Sequence, residues 1–102
     1  MTPIALDMRT DLARVTYDVL AQPGYGNCTY SSPCAVGAMM TPEQRQALIE
    51  INADTDRIAA LIDSGRITVP EDQAADFVRL QLAFDRNRGF DAQLTYLKGK
   101  YA

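Results

Sequence analysis

Two cysteines, Cys28 and Cys34, have the widest choice of chemistry among the side chains of this sequence. Six positions apart, they could form a disulfide, bind a metal as thiolates, or supply a nucleophile. Zinc typically takes four nitrogen or sulfur ligands, and the 102 residues include no histidine. We therefore expect no metal site. A disulfide stays open, but the expected compartment is the cytosol, where thiols are kept reduced.

Cys34 is also the candidate for covalent catalysis. It lies near the predicted start of a helix, where the helix dipole lowers the pKa of a thiol. A cysteine nucleophile needs a base nearby, and the usual base, histidine, is missing. We expect Cys34 to be a small buried side chain, since cysteine is among the most buried residue types. A cysteine-based enzyme or redox protein centred on Cys34 is the alternative.

Neighbouring acidic residues could serve glycoside hydrolysis or bind magnesium. The pairs are Asp54 and Asp56, Glu71 and Asp72, Asp85 and Asp91. Most of them occur where helices begin or in connecting turns, where carboxylates act as caps and surface charge. We predict no catalytic residue and no cofactor.

Charge is unevenly distributed along the chain, although the net charge is only −3. Residues 41–76 contain three basic and eight acidic residues, a local net charge of −5. Residues 77–102 contain five basic and two acidic residues. Nucleic-acid binding needs a concentrated basic surface, which the whole chain lacks, so we expect no direct contact with nucleic acid. The basic C-terminal part could face an acidic partner or lie against the acidic middle of its own fold.

Helical periodicity and capping patterns dominate the first half of the sequence. Apolar residues at spacings of three and four predict a helix from residue 6 or 7 to residue 21. Ser32 and Pro33 are typical of an N-cap and a first helical position. The almost wholly apolar residues 34–40 then predict a short helix that is buried on all sides.

The middle of the chain predicts further helices. Residues 41–44, Thr-Pro-Glu-Gln, match a capping box and predict a helix to about residue 52. Another is predicted over residues 55–65, and the polar stretch between them leaves open whether they form one helix or two. Residues 66–70 have a β-like composition, but a single short strand cannot form a sheet, so we interpret them as an extended connector.

Two amphipathic helices complete the prediction. The longest is expected to begin at Pro70 and end at Gly89, and another follows it. Their buried positions are predicted to be Phe77, Leu80, Gln81, Phe84, Phe90, Leu94 and Leu97. We therefore predict an all-α fold, with residues 1–102 forming a single compact domain of five or six helices.

The sequence gives no sign of export or of a membrane span. The first dozen residues are polar and acidic, unlike a secretory signal, and no window approaches a membrane-spanning run of apolar residues. We expect a cytoplasmic protein with no membrane contact.

Two segments of the chain carry a family resemblance. Residues 34–39 match the pattern C-A-[IVL]-G-A-[ML], which follows a loop with glycine and cysteine. Leu80, Gln81, Ala83 and Asp85 approximate L-Q-x-A-H-D, with Phe84 where histidine would stand. In these features the chain resembles a group of small, uncharacterised bacterial and phage proteins. The resemblance implies an accessory protein of a phage, prophage or mobile element.

We therefore expect a protein that acts by binding another protein, such as an anti-CRISPR or other anti-defence inhibitor, and not an enzyme. The acidic middle would compete for the basic nucleic-acid groove of a host complex. Residues predicted to contact a partner are Glu50, Asp54, Asp56, Asp63, Arg79, Arg86, Arg88, Tyr25 and Tyr30. A structural homodimer or larger homo-oligomer, joined through residues 34–40, is a further alternative.

Overall fold

The computed structural model describes residues 3–20, 34–54 and 56–102. Within these residues there are two short strands, β1 (Ile4–Ala5) and β2 (Ile67–Thr68), and six α-helices. The helices are α1 (Met8–Asp11), α2 (Ala35–Met39), α3 (Pro42–Glu50), α4 (Ile58–Asp63), α5 (Ala74–Asp85) and α6 (Phe90–Lys100). A 3-10 turn follows α1 at Leu12–Arg14, and another precedes α5 at Glu71–Gln73. The prediction of a compact, mostly helical domain is confirmed.

The first helix is shorter than predicted. Asp7 caps it, because its Oδ1 accepts a hydrogen bond from the backbone N–H of Arg9 at 2.9 Å. The backbone is extended again at Val15, so the prediction of a helix to residue 21 is wrong. Val15 is completely buried, and its carbonyl oxygen accepts a hydrogen bond from Lys98 Nζ at 3.0 Å. This contact with α6 replaces the backbone bond that a longer helix would make there.

Helix α2 is buried on all sides, as predicted, because every residue from 34 to 40 is buried. The prediction that Ser32 caps this helix is wrong. The helix begins at Ala35, and Cys34 is the N-cap, with its Sγ accepting a hydrogen bond from Gly37 N at 3.4 Å. Ser32 and Pro33 themselves lie outside the described residues.

Helices α3 and α4 are separate. The predicted capping box of α3 is confirmed: Gln44 N donates to Thr41 Oγ1 at 3.2 Å, and Thr41 N donates to Gln44 Oε1 at 2.9 Å. The helix ends at Glu50, and Asn52 adopts a left-handed conformation with φ of 55°. Asparagine tolerates this conformation better than most residues, so the polar stretch is a true break.

The predicted extended connector is a strand. β2 pairs in parallel with β1, with Ile67 opposite Ile4 and Thr68 opposite Ala5. The backbone N–H of Ile4 donates to the carbonyl of Arg66 at 2.9 Å. Ile4 and Ile67 are buried, so the pair fixes the start of the chain against the core.

Helix α5 packs against α2, α4 and α6. It begins after the 3-10 turn and ends at Asp85, so the predicted limits at Pro70 and Gly89 are too wide. Its predicted buried side is confirmed, and Phe84 meets Phe90 of α6 edge to face, with 5.2 Å between the ring centres. Asn87 and Gly89, both with positive φ, turn the chain between α5 and α6. Within the described ranges, no helix combines the length and apolar character needed to cross a membrane.

Candidate protein-binding surface

The four acidic residues predicted to contact a partner lie around the connection between α3 and α4. Glu50 ends α3, Asp54 and Asp56 lie in the connection, and Asp63 ends α4. Glu50, Asp56 and Asp63 are exposed, whereas Asp54 is half-buried. Their positions at helix ends and in the connection suit contact with another molecule. Their role in binding stays a prediction.

Two shallow grooves lie near these acidic residues, and of the four only Glu50 lines one of the two. The first, of about 370 Å³, runs along α3 and is lined by Glu43, Gln46 and Glu50, among others. The second, of about 290 Å³, is lined by Ile51 together with Ser64 and the two residues after it. Because Ile51 directly follows Glu50 and Ser64 directly follows Asp63, the second groove brings the ends of α3 and α4 together.

We call the surface formed by Glu43, Glu50, Asp54, Asp56 and Asp63 the acidic surface. Arg45, Arg57 and Arg66 lie within the same part of the chain, residues 43–66, which leaves a net charge of −2 for five acidic and three basic residues. Arg66 NH1 lies 3.8 Å from Asp56 Oδ2, and both side chains are about half exposed. Such an exposed pair contributes little to stability.

The three arginines predicted to contact a partner are exposed. Arg79 lies on the outer side of α5, where Leu82 is 41% exposed, and Arg86 directly follows the helix. Arg79 NH1 lies 3.8 Å from Asp76 Oδ1, and Arg88 lies in the turn after α5. Tyr25 and Tyr30, which were predicted to join them, lie outside the described residues.

A buried carboxylate connects the acidic middle of the chain with its basic end. Asp76 accepts hydrogen bonds from Lys100 Nζ at 2.8 Å and from the Tyr101 hydroxyl at 2.6 Å. Burial raises the pKa of Asp76, but these two hydrogen bonds and the nearby positive charges outweigh it and lower the pKa below its ordinary value. The same carboxylate raises the pKa of Lys100. Lys100, in the basic C-terminal part of the chain, therefore packs against an acidic residue of the same fold.

Cys34 is completely buried, as predicted. The backbone N–H of Val36, two residues further on, donates to Gln81 Oε1 at 3.0 Å, and Gln81 Nε2 donates to Asp85 Oδ1 at 2.9 Å. Cys28 lies outside the described residues. Residues 34–40 are buried within one chain, so an oligomer joined through them would have no exposed surface to use.

Sequence reasoning missed two arginines that meet at the end of α2. Arg45 NH1 donates to the carbonyls of Gly37 at 3.1 Å and Met40 at 3.2 Å. Arg14 NH1 donates to the carbonyl of Met39 at 3.2 Å. No local pattern signals this meeting, because the two arginines come from separate elements and bind backbone groups.

The described part of the chain shows no group of metal ligands and no buried polar side-chain atom without a hydrogen-bond partner. Within residues 3–20, 34–54 and 56–102, no three cysteine or acidic residues form a group that could hold a metal ion. Every buried side-chain nitrogen or oxygen atom there has a hydrogen-bond partner. No protein-family model matches the chain, and no curated protein or solved structure matches it either.

Proposed function

We propose that this protein is a phage- or mobile-element-type accessory protein that binds a host defence complex and inhibits it. Its acidic surface competes for the basic groove in which that complex holds nucleic acid. The observation that carries the proposal is the juxtaposition of Ile51 and Ser64 in one groove, which unites two acidic segments of the chain.

Electrostatics favours this mode of binding. A surface with an excess of acidic residues, −2 over residues 43–66, attracts a basic groove, speeds association and repels other acidic surfaces. The exposed carboxylates of Glu50 and Asp63 are the main candidates for contact. Asp56 shares its charge with Arg66, and Asp54 is half-buried.

The proposed source rests on the resemblance of two segments to small phage and bacterial proteins. These segments touch in the structure, because Val36 of the first donates a hydrogen bond to Gln81 of the second. The two patterns therefore describe one structural unit at the centre of the fold. This unit holds the surface in place without carrying the proposed contacts itself.

A phage plating assay tests the proposal. The protein is expressed in a bacterium whose CRISPR system blocks a phage, and plaques are counted. The expected result is restored plating with the wild type and loss of this effect with the double variant Glu50→Lys and Asp63→Lys. Both positions are exposed at helix ends, so the substitutions should leave the fold intact.

The matched control is Asp18→Lys, which reverses an exposed acidic residue in a different element. It should restore plating as the wild type does. Affinity capture from the same cells, followed by mass spectrometry, then identifies the bound complex. Failure of the wild type to restore plating against a panel of CRISPR types would contradict inhibition of CRISPR. Equal activity of the double variant would contradict the role of the acidic surface.

A further inference from the structure

A separate groove of about 560 Å³ lies over the C-terminal end of α2. Ala38 and Met40 contribute to it from α2 and the residue after it, and Val19 from the turn after Val15. Pro42, at the start of α3, also lines it. Ala38 and Met40 are 3% and 1% exposed, so the accessible apolar surface of the groove comes from Val19, which is 47% exposed, and from the exposed Pro42. The volume is in the range of small-molecule sites.

Two guanidinium groups line the same groove. Arg14 and Arg45 both donate hydrogen bonds to carbonyl oxygens in the last turn of α2, which holds their side chains in place. These bonds use the NH1 atom of each arginine. A guanidinium has five N–H donors, so each retains others for a ligand. We call this feature the arginine groove.

The two arginines differ in whether a carboxylate lies close enough to neutralise their charge. Arg14 NH1 lies 2.6 Å from Asp11 Oδ1, so a carboxylate offsets its charge. Arg45 is half-buried and donates to carbonyls, and no carboxylate among the described residues lies within ion-pair distance of it. The carbonyl end of a helix offsets a cation only in part. Among the residues that the structure describes, the positive charge of Arg45 therefore has no carboxylate partner.

We propose that the arginine groove binds a small amphiphilic monocarboxylate, with its carboxylate on Arg45 and its apolar tail along Val19 and Pro42. Arginine binds carboxylates through paired N–H donors, and the apolar side chains supply the surface that a hydrocarbon tail needs. The positive charge of Arg45 selects an anionic head group, and a carboxylate matches the paired N–H donors of a guanidinium.

An NMR titration tests this site with decanoate, kept below its micellar concentration. Decyltrimethylammonium carries a decyl tail with a positive head group, and acetate carries the carboxylate head group alone. The expected result is saturable shifts of the Val19 methyl signals and of the Arg45 side-chain N–H with decanoate. Decyltrimethylammonium and acetate should each bind at least about tenfold more weakly than decanoate.

Two variants locate the binding. Arg45→Gln should weaken decanoate binding about tenfold, whereas Arg88→Gln, an exposed arginine in the turn after α5, should leave it unchanged. Because Arg45→Gln also removes hydrogen bonds to α2, Val19→Glu serves as the second variant. It places a carboxylate in the groove at an exposed position and should also weaken binding.

Several results would overturn the proposal. They are the absence of saturable shifts, shifts confined to other parts of the chain, and equal affinity for decanoate and decyltrimethylammonium. Undiminished decanoate binding by a folded Val19→Glu variant would overturn it as well. None of these results depends on the proposed inhibition of a defence complex, so the two proposals fail separately.

Discussion

Gln81 accepts a hydrogen bond from the backbone N–H of Val36 at 3.0 Å, and both groups are buried. Gln73 Oε1 likewise accepts a hydrogen bond from the backbone N–H of Met8 at 2.8 Å. The first N–H groups of a helix have no partner inside the helix. Two glutamines from one continuous segment therefore satisfy the first turns of the two short helices α1 and α2. This arrangement explains how helices of four and five residues persist in the core.

Replacing Gln81 by leucine should destabilise the protein by about 1–3 kcal/mol, because a buried N–H group loses its partner at nearly constant side-chain volume. Gln46→Leu, on the exposed side of α3, is the control and should change stability by at most about 0.5 kcal/mol. Urea unfolding followed by circular dichroism measures both. Equal effects at the two positions would contradict a capping role for Gln81.

Cys34 should resist alkylation in the folded protein. Its side chain is completely buried, so a reagent reaches the thiol only after unfolding. The measurement uses a Cys28→Ser variant, in which Cys34 is the only thiol, with and without urea. Rapid alkylation near pH 6 without urea would show an accessible thiolate and favour the alternative of a cysteine-based enzyme.

Two glycines should respond oppositely to substitution. Gly37 is buried in α2, so Gly37→Leu should cost about 1–3 kcal/mol or more through overpacking. Gly99, in α6, has no atom within 4 Å of an added Cβ, so Gly99→Ala should stabilise the protein by about 0.5–1 kcal/mol. Thermal unfolding checks the pair. An unchanged melting temperature for Gly37→Leu would place residues 34–40 at the surface.

Acid should destabilise the protein through Asp76. Its pKa is lower in the folded state than in the unfolded chain, because Lys100 and Tyr101 donate hydrogen bonds to it despite its burial. The contribution of Asp76 to the free energy of unfolding is complete above the pKa of about 4 that the group has in the unfolded chain. It is lost as the pH falls through the lower pKa that the group has in the folded protein. Unfolding at a series of pH values should show a weaker acid dependence for Asp76→Asn than for Asp18→Asn. Identical slopes would contradict this.

Much of the fold follows from local sequence signals. The capping box at Thr41 and Gln44 and the buried side of α5 were predictable, because caps and helical periodicity act between near neighbours. The pairing of β1 with β2 was not, because it joins two-residue strands from distant parts of the chain. Likewise, no local pattern signals that Lys98 of α6 binds the carbonyl of Val15 and ends the first helix early.

The candidate surface was predictable only in part. Charged residues such as Glu50 and Asp63 are expected at the surface from their chemistry alone. That Ile51 and Ser64 share a groove is a tertiary fact, and so is the ion pair of Asp56 with Arg66. These two contacts make Glu50 and Asp63 better targets for substitution than Asp56.

The salt dependence of binding tests the central claim most directly. The affinity for the captured host complex is measured by titration calorimetry at increasing salt, for the wild type and for the Glu50→Lys, Asp63→Lys variant. The account predicts that wild-type affinity falls as salt rises, and that at low salt the variant binds about tenfold or more weakly. An affinity that stays constant across the salt series, and is the same for both proteins, would contradict binding through the acidic surface.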